Sequence, residues 1–104
     1  FRIVGAVVTV PIIEELLFRG YLINRLTGDE AHRAFGRFTL LSFAISSLLF
    51  GFLHGQWLAG TVAGAAFAGA LYVRHQLMDA IVAHMTTNAL LALYVVATGH
   101  WSLW

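Results

Sequence analysis

The sequence predicts an all-α fold, a polytopic membrane helix bundle with about four transmembrane helices. Of the 104 residues, 60% are hydrophobic and only 11% are charged, and the mean hydropathy is +0.81. Two long runs, Thr39–Val73 and Ala80–Trp104, contain no Asp, Glu, Lys or Arg. A soluble domain of this size would need far more polar surface to cover its core.

The positions of the helices follow from the lengths of the apolar runs. A spanning helix needs roughly 20 apolar residues, so Thr39–Val73 accommodates two helices that turn near His54–Trp57. The other two helices are predicted from Phe1 to about Leu26 and from about Asp79 to Ala97, and Thr27–Arg37 is predicted to be a loop or a short interfacial helix. No linker divides the chain, so residues 1–104 are predicted to form a single membrane-embedded domain, a piece of a longer protein.

Small residues on the third predicted helix indicate how the helices pack. Gly60, Gly64 and Ala68 recur every four residues. In lipid such a stripe lets two helix backbones approach closely, where dispersion replaces the missing hydrophobic force. We therefore interpret these residues as packing positions.

The remaining composition excludes several classes of function. There is no Cys, so disulfides, thiolate zinc sites and thiol nucleophiles are excluded. A net charge of +1 gives no sign of a nucleic-acid partner. The partner that the composition does predict is the lipid bilayer.

The strongest functional signal is a group of ionisable residues inside the first predicted span. Glu14, Glu15 and Arg19 lie in the stretch PIIEELLFRG, and intramembrane charges are costly enough that they usually mark function. Glu15 and Arg19 are four residues apart and share a helix face, with the acid first, which is the favourable order. Glu14 points about 100° away from Glu15, so it needs partners from other helices.

The chain offers few such partners: His54 on the second helix, and His84 with Asn88 on the fourth. A carboxylate that faces an imidazole in a water-containing cavity can activate water as a general base. An imidazole N–H and a side-chain amide N–H on one helix face can bind an oxyanion. Taken singly, a His or an Asn in a membrane helix more often bonds neighbouring helices, but their occurrence together with Glu14 on three spans favours hydrolysis of an amide.

Three motifs in order, Glu14-Glu15-x-x-x-Arg19, Phe50-x-x-x-His54 and His84-x-x-x-Asn88, resemble those of the CAAX protease and bacteriocin-processing (CPBP, or Abi) family. These are intramembrane glutamic endopeptidases, and the resemblance extends from about Val4 to Ala97.

The resemblance implies catalytic roles for four residues. Glu14 and His54 would activate the water, and His84 and Asn88 would bind the oxyanion. Glu15 and Arg19 would support the site. It further implies a peptide or protein substrate, lipidated or membrane-anchored, and an integral protein of the bacterial inner (plasma) membrane.

Two other functions stay open at this stage. One is a non-catalytic membrane immunity or scaffold protein, which would use the same polar residues for helix association. The other is a proton or ion pathway, which is disfavoured because the polar residues do not continue to both faces. No cofactor and no metal are predicted, because His54 and His84 stand on separate helices and the usual zinc protease signature pairs its two His on one helix.

Helix depth and arginine counts complete the expectations. At 1.5 Å per residue, His54 lies near the outer end of a straight second helix and His84 near the inner end of the fourth. We therefore expect them to meet only if helices tilt or break, with Pro11, Gly51 and Gly55 as candidate breaks. The connections that carry arginine, around Arg33 and at Arg74, are expected to face the cytoplasm.

Overall fold

The computed structural model describes residues 2–27 and 38–104, which form four helices and a short 3₁₀ turn. The all-α prediction is confirmed, and the described residues contain no β-strand. Helix α1 runs from Arg2 to Thr27, and its partners are α2 (Leu40–Phe52), α3 (Trp57–Arg74), α4 (Leu77–Thr98) and the 3₁₀ turn (Trp101–Leu103). The predicted connection Thr27–Arg37, with its arginines, lies almost entirely outside the described residues.

Helix α1 is continuous but alternates between α and π turns. Its α segments are Arg2–Val4, Val10–Glu15 and Ile23–Thr27, and its π segments are Gly5–Thr9 and Leu16–Leu22. Proline has no N–H, and its ring clashes with the carbonyl four residues earlier. In α1 the wider π turn lies directly before Pro11, and the N–H of Val10 donates to the carbonyl of Gly5. Pro11 therefore widens the helix without breaking it.

The ends of the other helices have identifiable local causes. Thr39 caps α2, since its side chain accepts a hydrogen bond from the N–H of Ser42 at 3.2 Å. His75 ends α3 and Gly99 ends α4, both in the left-handed conformation, with φ of 56° and 74°. The turn at Gly99 sends the C-terminal residues back toward the bundle.

Helices α2 and α3 form a closely packed antiparallel pair, joined by residues 53–56. A Cβ atom on Gly51 would lie 2.0 Å from Thr61 Oγ1 and 2.5 Å from the Trp57 carbonyl oxygen. A Cβ atom on Gly60 would lie 3.0 Å from the Cα of Gly51. The predicted close approach of backbones at small residues is therefore confirmed. Helix α4 packs on α3 and on α1.

The distribution of polar and apolar side chains differs from that of a typical soluble protein. Glu15 and Arg19 are fully buried, whereas many large apolar residues are exposed, among them Leu40 at 72%, Val73 at 80% and Leu93 at 68%. Large contiguous apolar surface on a soluble monomer is rare. A surface of this kind fits contact with lipid.

Helix α4 is the part of the described chain that is long and apolar enough to cross a bilayer by itself. Its 22 residues have a mean hydropathy of 1.7 over the most apolar window. Helix α2 is apolar but has only 13 residues, which at 1.5 Å per residue give about 20 Å, less than the roughly 30 Å hydrocarbon core. The four predicted helices are present, but among the described residues only α4 is long and apolar enough to span a bilayer, so the prediction of four spans is not confirmed.

The close α2–α3 contact predicts a stability difference between two glycines. Gly51→Ala should lower the free energy of unfolding by about 1–3 kcal/mol, the usual cost of overpacking, because backbone atoms of α3 occupy the space. Gly69→Ala is the matched control, since nothing lies within 4 Å of its added Cβ. Thermal denaturation in detergent measures both, and equal melting temperatures for the two variants would contradict the packing described here.

Candidate active site

The carboxylate of Glu14 lies between the two imidazoles that the sequence singled out. Its Oε2 atom is 3.8 Å from Nε2 of His54 and 3.7 Å from Nε2 of His84. Among the described residues, this oxygen has no hydrogen-bond partner although it is buried. The structure therefore brings together residues from α1, α4 and the α2–α3 turn.

The expected conflict between the depths of His54 and His84 does not arise. Helix α2 ends at Phe52, so His54 lies in the turn rather than at the outer end of a full-length span. The π turns also change the rise of α1 around the glutamates. The depth estimate assumed straight α-helices of full length, and this assumption was wrong.

His54 is held by a backbone carbonyl and an aromatic ring one turn earlier. Its Nδ1 lies 2.6 Å from the carbonyl oxygen of Phe50, and the two ring centroids are 4.5 Å apart. Because a carbonyl only accepts hydrogen bonds, Nδ1 carries the proton. In the neutral ring, Nε2 then has a free lone pair on the side of Glu14.

Glu15 has two partners, one more than the sequence predicted. Its Oε1 accepts a hydrogen bond from Nη1 of Arg19 at 3.2 Å, as the four-residue spacing indicated. The same oxygen lies 2.7 Å from Nδ1 of His84. The expectation that Glu15 is matched to Arg19 alone was therefore incomplete, because the fold also brings α4 against this face of α1.

Arg19 is buried against α3 and a cluster of aromatic rings. Its Nη2 donates to the carbonyl oxygen of Gly64 at 2.5 Å. The guanidinium carbon lies 4.7 Å from the ring centroid of Phe50 and 5.7 Å from those of Phe18 and Phe67. A desolvated cation over aromatic faces gains about 2 kcal/mol or more, which offsets part of the cost of its burial.

His84 and Asn88 share a face of α4, as predicted from their spacing. The His84 ring stacks on Phe67, with a centroid distance of 4.4 Å and an interplanar angle of 17°. The side-chain amide of Asn88 donates to the carbonyl oxygen of Ala6 at 2.8 Å. That bond uses one of the two amide N–H groups.

A cavity of about 480 Å³ adjoins these residues and opens between α3 and α4. His54, His84 and Asn88 lie in its wall, together with Ala63 of α3 and Thr87 of α4. A peptide segment in this cavity would contact both imidazoles. Both imidazoles therefore border the same open cavity.

Sequence reasoning missed the backbone groups and rings that hold the site. The carbonyl groups of Phe50, Gly64 and Ala6 accept hydrogen bonds from His54, Arg19 and Asn88. Every residue has a carbonyl, so no sequence signal identifies these three. Phe67 was detectable in principle, because it lies three residues after Gly64 and aromatic rings commonly cover buried cations.

Comparison with known proteins gives one match. A family model described as type II CAAX prenyl endopeptidase Rce1-like matches residues 1–90, a range that includes Glu14, His54, His84 and Asn88. No curated protein and no solved structure matches the chain. The family match agrees with the resemblance found in the three sequence motifs.

The paired contacts of Glu15 predict a large loss of stability on its neutralisation. Glu15→Gln should lower the free energy of unfolding by about 3–5 kcal/mol, the usual cost of leaving one buried charge of a pair unmatched. Thermal melting in detergent gives the measurement. Glu14→Gln is the matched control, because its carboxylate has no hydrogen-bonded cation. Equal melting temperatures for the two variants would reverse these assignments.

Proposed function

We propose that this chain, which belongs to the Rce1-like family of type II CAAX prenyl endopeptidases, is an intramembrane endopeptidase that uses a glutamate- and histidine-activated water. The family is one of membrane-embedded peptide hydrolases. The observation that carries the proposal is the position of Glu14 Oε2 between two imidazole nitrogens, whose residues, His54 and His84, both line a cavity.

The proposed nucleophile is a water held by Glu14 and His54. The 3.8 Å between Glu14 Oε2 and His54 Nε2 is too long for a direct hydrogen bond. A water at about 2.8 Å from both atoms fits this gap. It would donate one hydrogen to each, since both atoms are acceptors, and its lone pair would remain free to attack a carbonyl carbon.

The proposed oxyanion site is formed by His84 and Asn88. The second amide N–H of Asn88 is a neutral donor. His84 already directs Nδ1–H at Glu15, so its Nε2 can donate only when the ring is an imidazolium. Donors aimed at the developing charge are usually the largest single contribution to such catalysis.

All proton transfers of the proposed reaction take place between the water, Glu14 and the substrate. Attack by the water oxygen forms a C–O bond and moves one water proton to Glu14. The tetrahedral intermediate then collapses, the C–N bond breaks, and Glu14 returns the proton to the leaving amine. No oxidant, reductant or co-reactant other than water is required.

We further propose that all four helices lie in the membrane. The molecule measures 46 Å along its longest axis, close to the roughly 40–45 Å of a bilayer with its headgroups. Only 28% of the apolar window of α4 is buried inside the structure, whereas the core helix of a soluble protein would be mostly buried. The substrate we propose is a lipidated or membrane-anchored peptide, and the location is the bacterial inner membrane.

The second candidate is a non-catalytic immunity or scaffold protein in which the polar residues only join helices. The contacts of Glu15, Arg19 and Asn88 suit that role equally well. Glu14 and His54 do not, because neither makes a direct hydrogen bond to another helix among the described residues. This difference favours catalysis.

Removal of the Glu14 carboxylate should abolish turnover in a folded protein. General acid–base groups contribute typically 10²–10⁴-fold to the rate, so Glu14→Gln should lose activity by about that factor. The measurement is cleavage of a peptide library by protein in detergent or liposomes. His100→Gln is the control, since His100 does not line the cavity and its ring stacks on Tyr94 instead. A Glu14→Gln variant that retains full activity would reject the mechanism and favour the scaffold.

The four-span arrangement predicts a labelling pattern in this Cys-free chain. Gln56→Cys and Ser102→Cys should react with an impermeant maleimide from one side of the membrane, and His75→Cys from the other. The α2–α3 turn and the end of α4 lie at one end of an antiparallel bundle, and the basic residue Arg74 favours the cytoplasmic face beside His75. Reaction of all three from one side would reject this topology.

Activity should survive exhaustive chelation, with metal content measured on the same sample. Within the described ranges, no three His, Asp or Glu side chains are arranged to hold a metal ion. Glu15 orients the ring of His84 through Nδ1, as carboxylates do for histidines that bind zinc, so the zinc alternative needs this direct test. Activity that disappears with the metal and returns with stoichiometric zinc would make Glu14, His54 and His84 ligands instead.

A further inference from the structure

The C-terminal segment folds back onto the cavity of the candidate active site. Helix α4 ends at Gly99, whose φ of 74° reverses the chain. The 3₁₀ turn Trp101–Leu103 follows. As a result, Ser102, Leu103 and Trp104 line the same cavity as the imidazoles of the site.

The apolar residues that line this cavity differ in size. On the α3 side three of them are small, Ala59, Gly60 and Ala63, and Phe67 is large. Leu91 of α4 and Leu103 of the C-terminal segment supply further apolar bulk. No Asp, Glu, Lys or Arg is among the lining residues, so the space suits an uncharged, apolar side chain.

Two residues of the segment, Trp101 and Leu103, line different cavities. Trp101 lines a second cavity with Arg2 and Ile3, at the start of α1. Leu103 lines the cavity of the site, and Trp104 lines both. Substitutions at 101 and 103 therefore separate an effect on the site cavity from a general effect on the segment.

From this placement we infer that Leu103 and Trp104 determine substrate specificity: they form one wall of a subsite that receives an apolar side chain beside the scissile bond. The inference rests on the proposed peptidase function. The segment lies beyond residues 1–90, which the family model matches, so the family match assigns no role to this wall. The size of the residue at 103 sets the size of the side chain that is accepted.

Peptide binding tests the subsite without requiring turnover. The protein carries Glu14→Gln in every sample, in detergent, and the probes are dye-labelled peptides that differ at one position, as Ala, Leu, Phe or Asp. Leu103→Trp should reduce the affinity for the Phe peptide relative to the Ala peptide by about tenfold or more, and Leu103→Ala should shift the ratio the other way. Trp101→Ala is the control and should leave the ratio unchanged.

A second variant, Gly99→Ala, provides an independent test in case a substitution at Leu103 disturbs folding. Nothing lies within 4 Å of a Cβ added at Gly99, so Gly99→Ala acts through its strained backbone conformation alone. It should loosen the segment and weaken the preference for size, in the same direction as Leu103→Ala. Melting temperatures identify any variant that is unfolded.

The outcomes separate the inference from the proposed function. Equal size preference in the Leu103→Ala, Leu103→Trp and Trp101→Ala proteins overturns the inference, even if the wild-type protein cleaves peptides. A uniform gain in affinity for all peptides in Leu103→Ala also overturns it, because the segment would then only obstruct the cavity. A shifted preference together with no cleavage by the wild-type protein supports the subsite and rejects the peptidase.

Discussion

The buried ion pair of Glu15 and Arg19 is the constraint on which the rest of this structure depends. Both side chains are 0% exposed, and the penalty for burying each ion is several kcal/mol. The partners that offset this penalty come from every helix: the Gly64 carbonyl of α3, the His84 imidazole of α4 and the Phe50 ring of α2. The pair therefore contacts all four helices, and a shift of α2, α3 or α4 along its axis would remove one of these contacts, although the pair within α1 would remain.

The same ion pair also sets the direction in which the adjacent Glu14 side chain points. Because Glu15 is held by Arg19 of α1 and His84 of α4, the adjacent Glu14 is directed toward a different face of α1, where its Oε2 lies 3.8 Å from Nε2 of His54 in the α2–α3 turn. His84 contacts both glutamates, Glu15 through Nδ1 at 2.7 Å and Glu14 through Nε2 at 3.7 Å. One imidazole thus connects the carboxylate of Glu15 to that of Glu14, so neutralisation of Glu15 should alter the orientation of His84 as well as the stability.

The sequence was sufficient to predict the helices and to single out Glu14, His54 and His84, which the structure brings together. It was insufficient for the groups that hold these side chains in place. The uncharged runs, and the isolated ionisable residues Glu14, His54 and His84, stand out in the sequence because ionisable side chains in lipid are costly and therefore rare. The contact of His84 with Glu15 was missed, since it depends on the rotation of α4 about its own axis. The depth of His54 was misjudged for a related reason: the 13-residue length of α2 follows from where the backbones of α2 and α3 meet, and hydropathy does not encode that point.

Gly64, in the small-residue stripe on α3, contributes both to helix packing and to the pairing of the buried Arg19. Gly64 was interpreted as a packing position, and a Cβ atom there would indeed lie 3.1 Å from Phe50 Cδ1. The same Cβ would lie 3.2 Å from Nη2 of Arg19, which needs the Gly64 carbonyl as its partner. The absence of a side chain therefore serves two purposes: it lets the helices approach, and it leaves a backbone acceptor open to a buried cation. Small-residue stripes are common in membrane helices because they permit close packing of backbones. Beside Arg19, the stripe on α3 also leaves the Gly64 carbonyl free to accept a hydrogen bond from this buried cation.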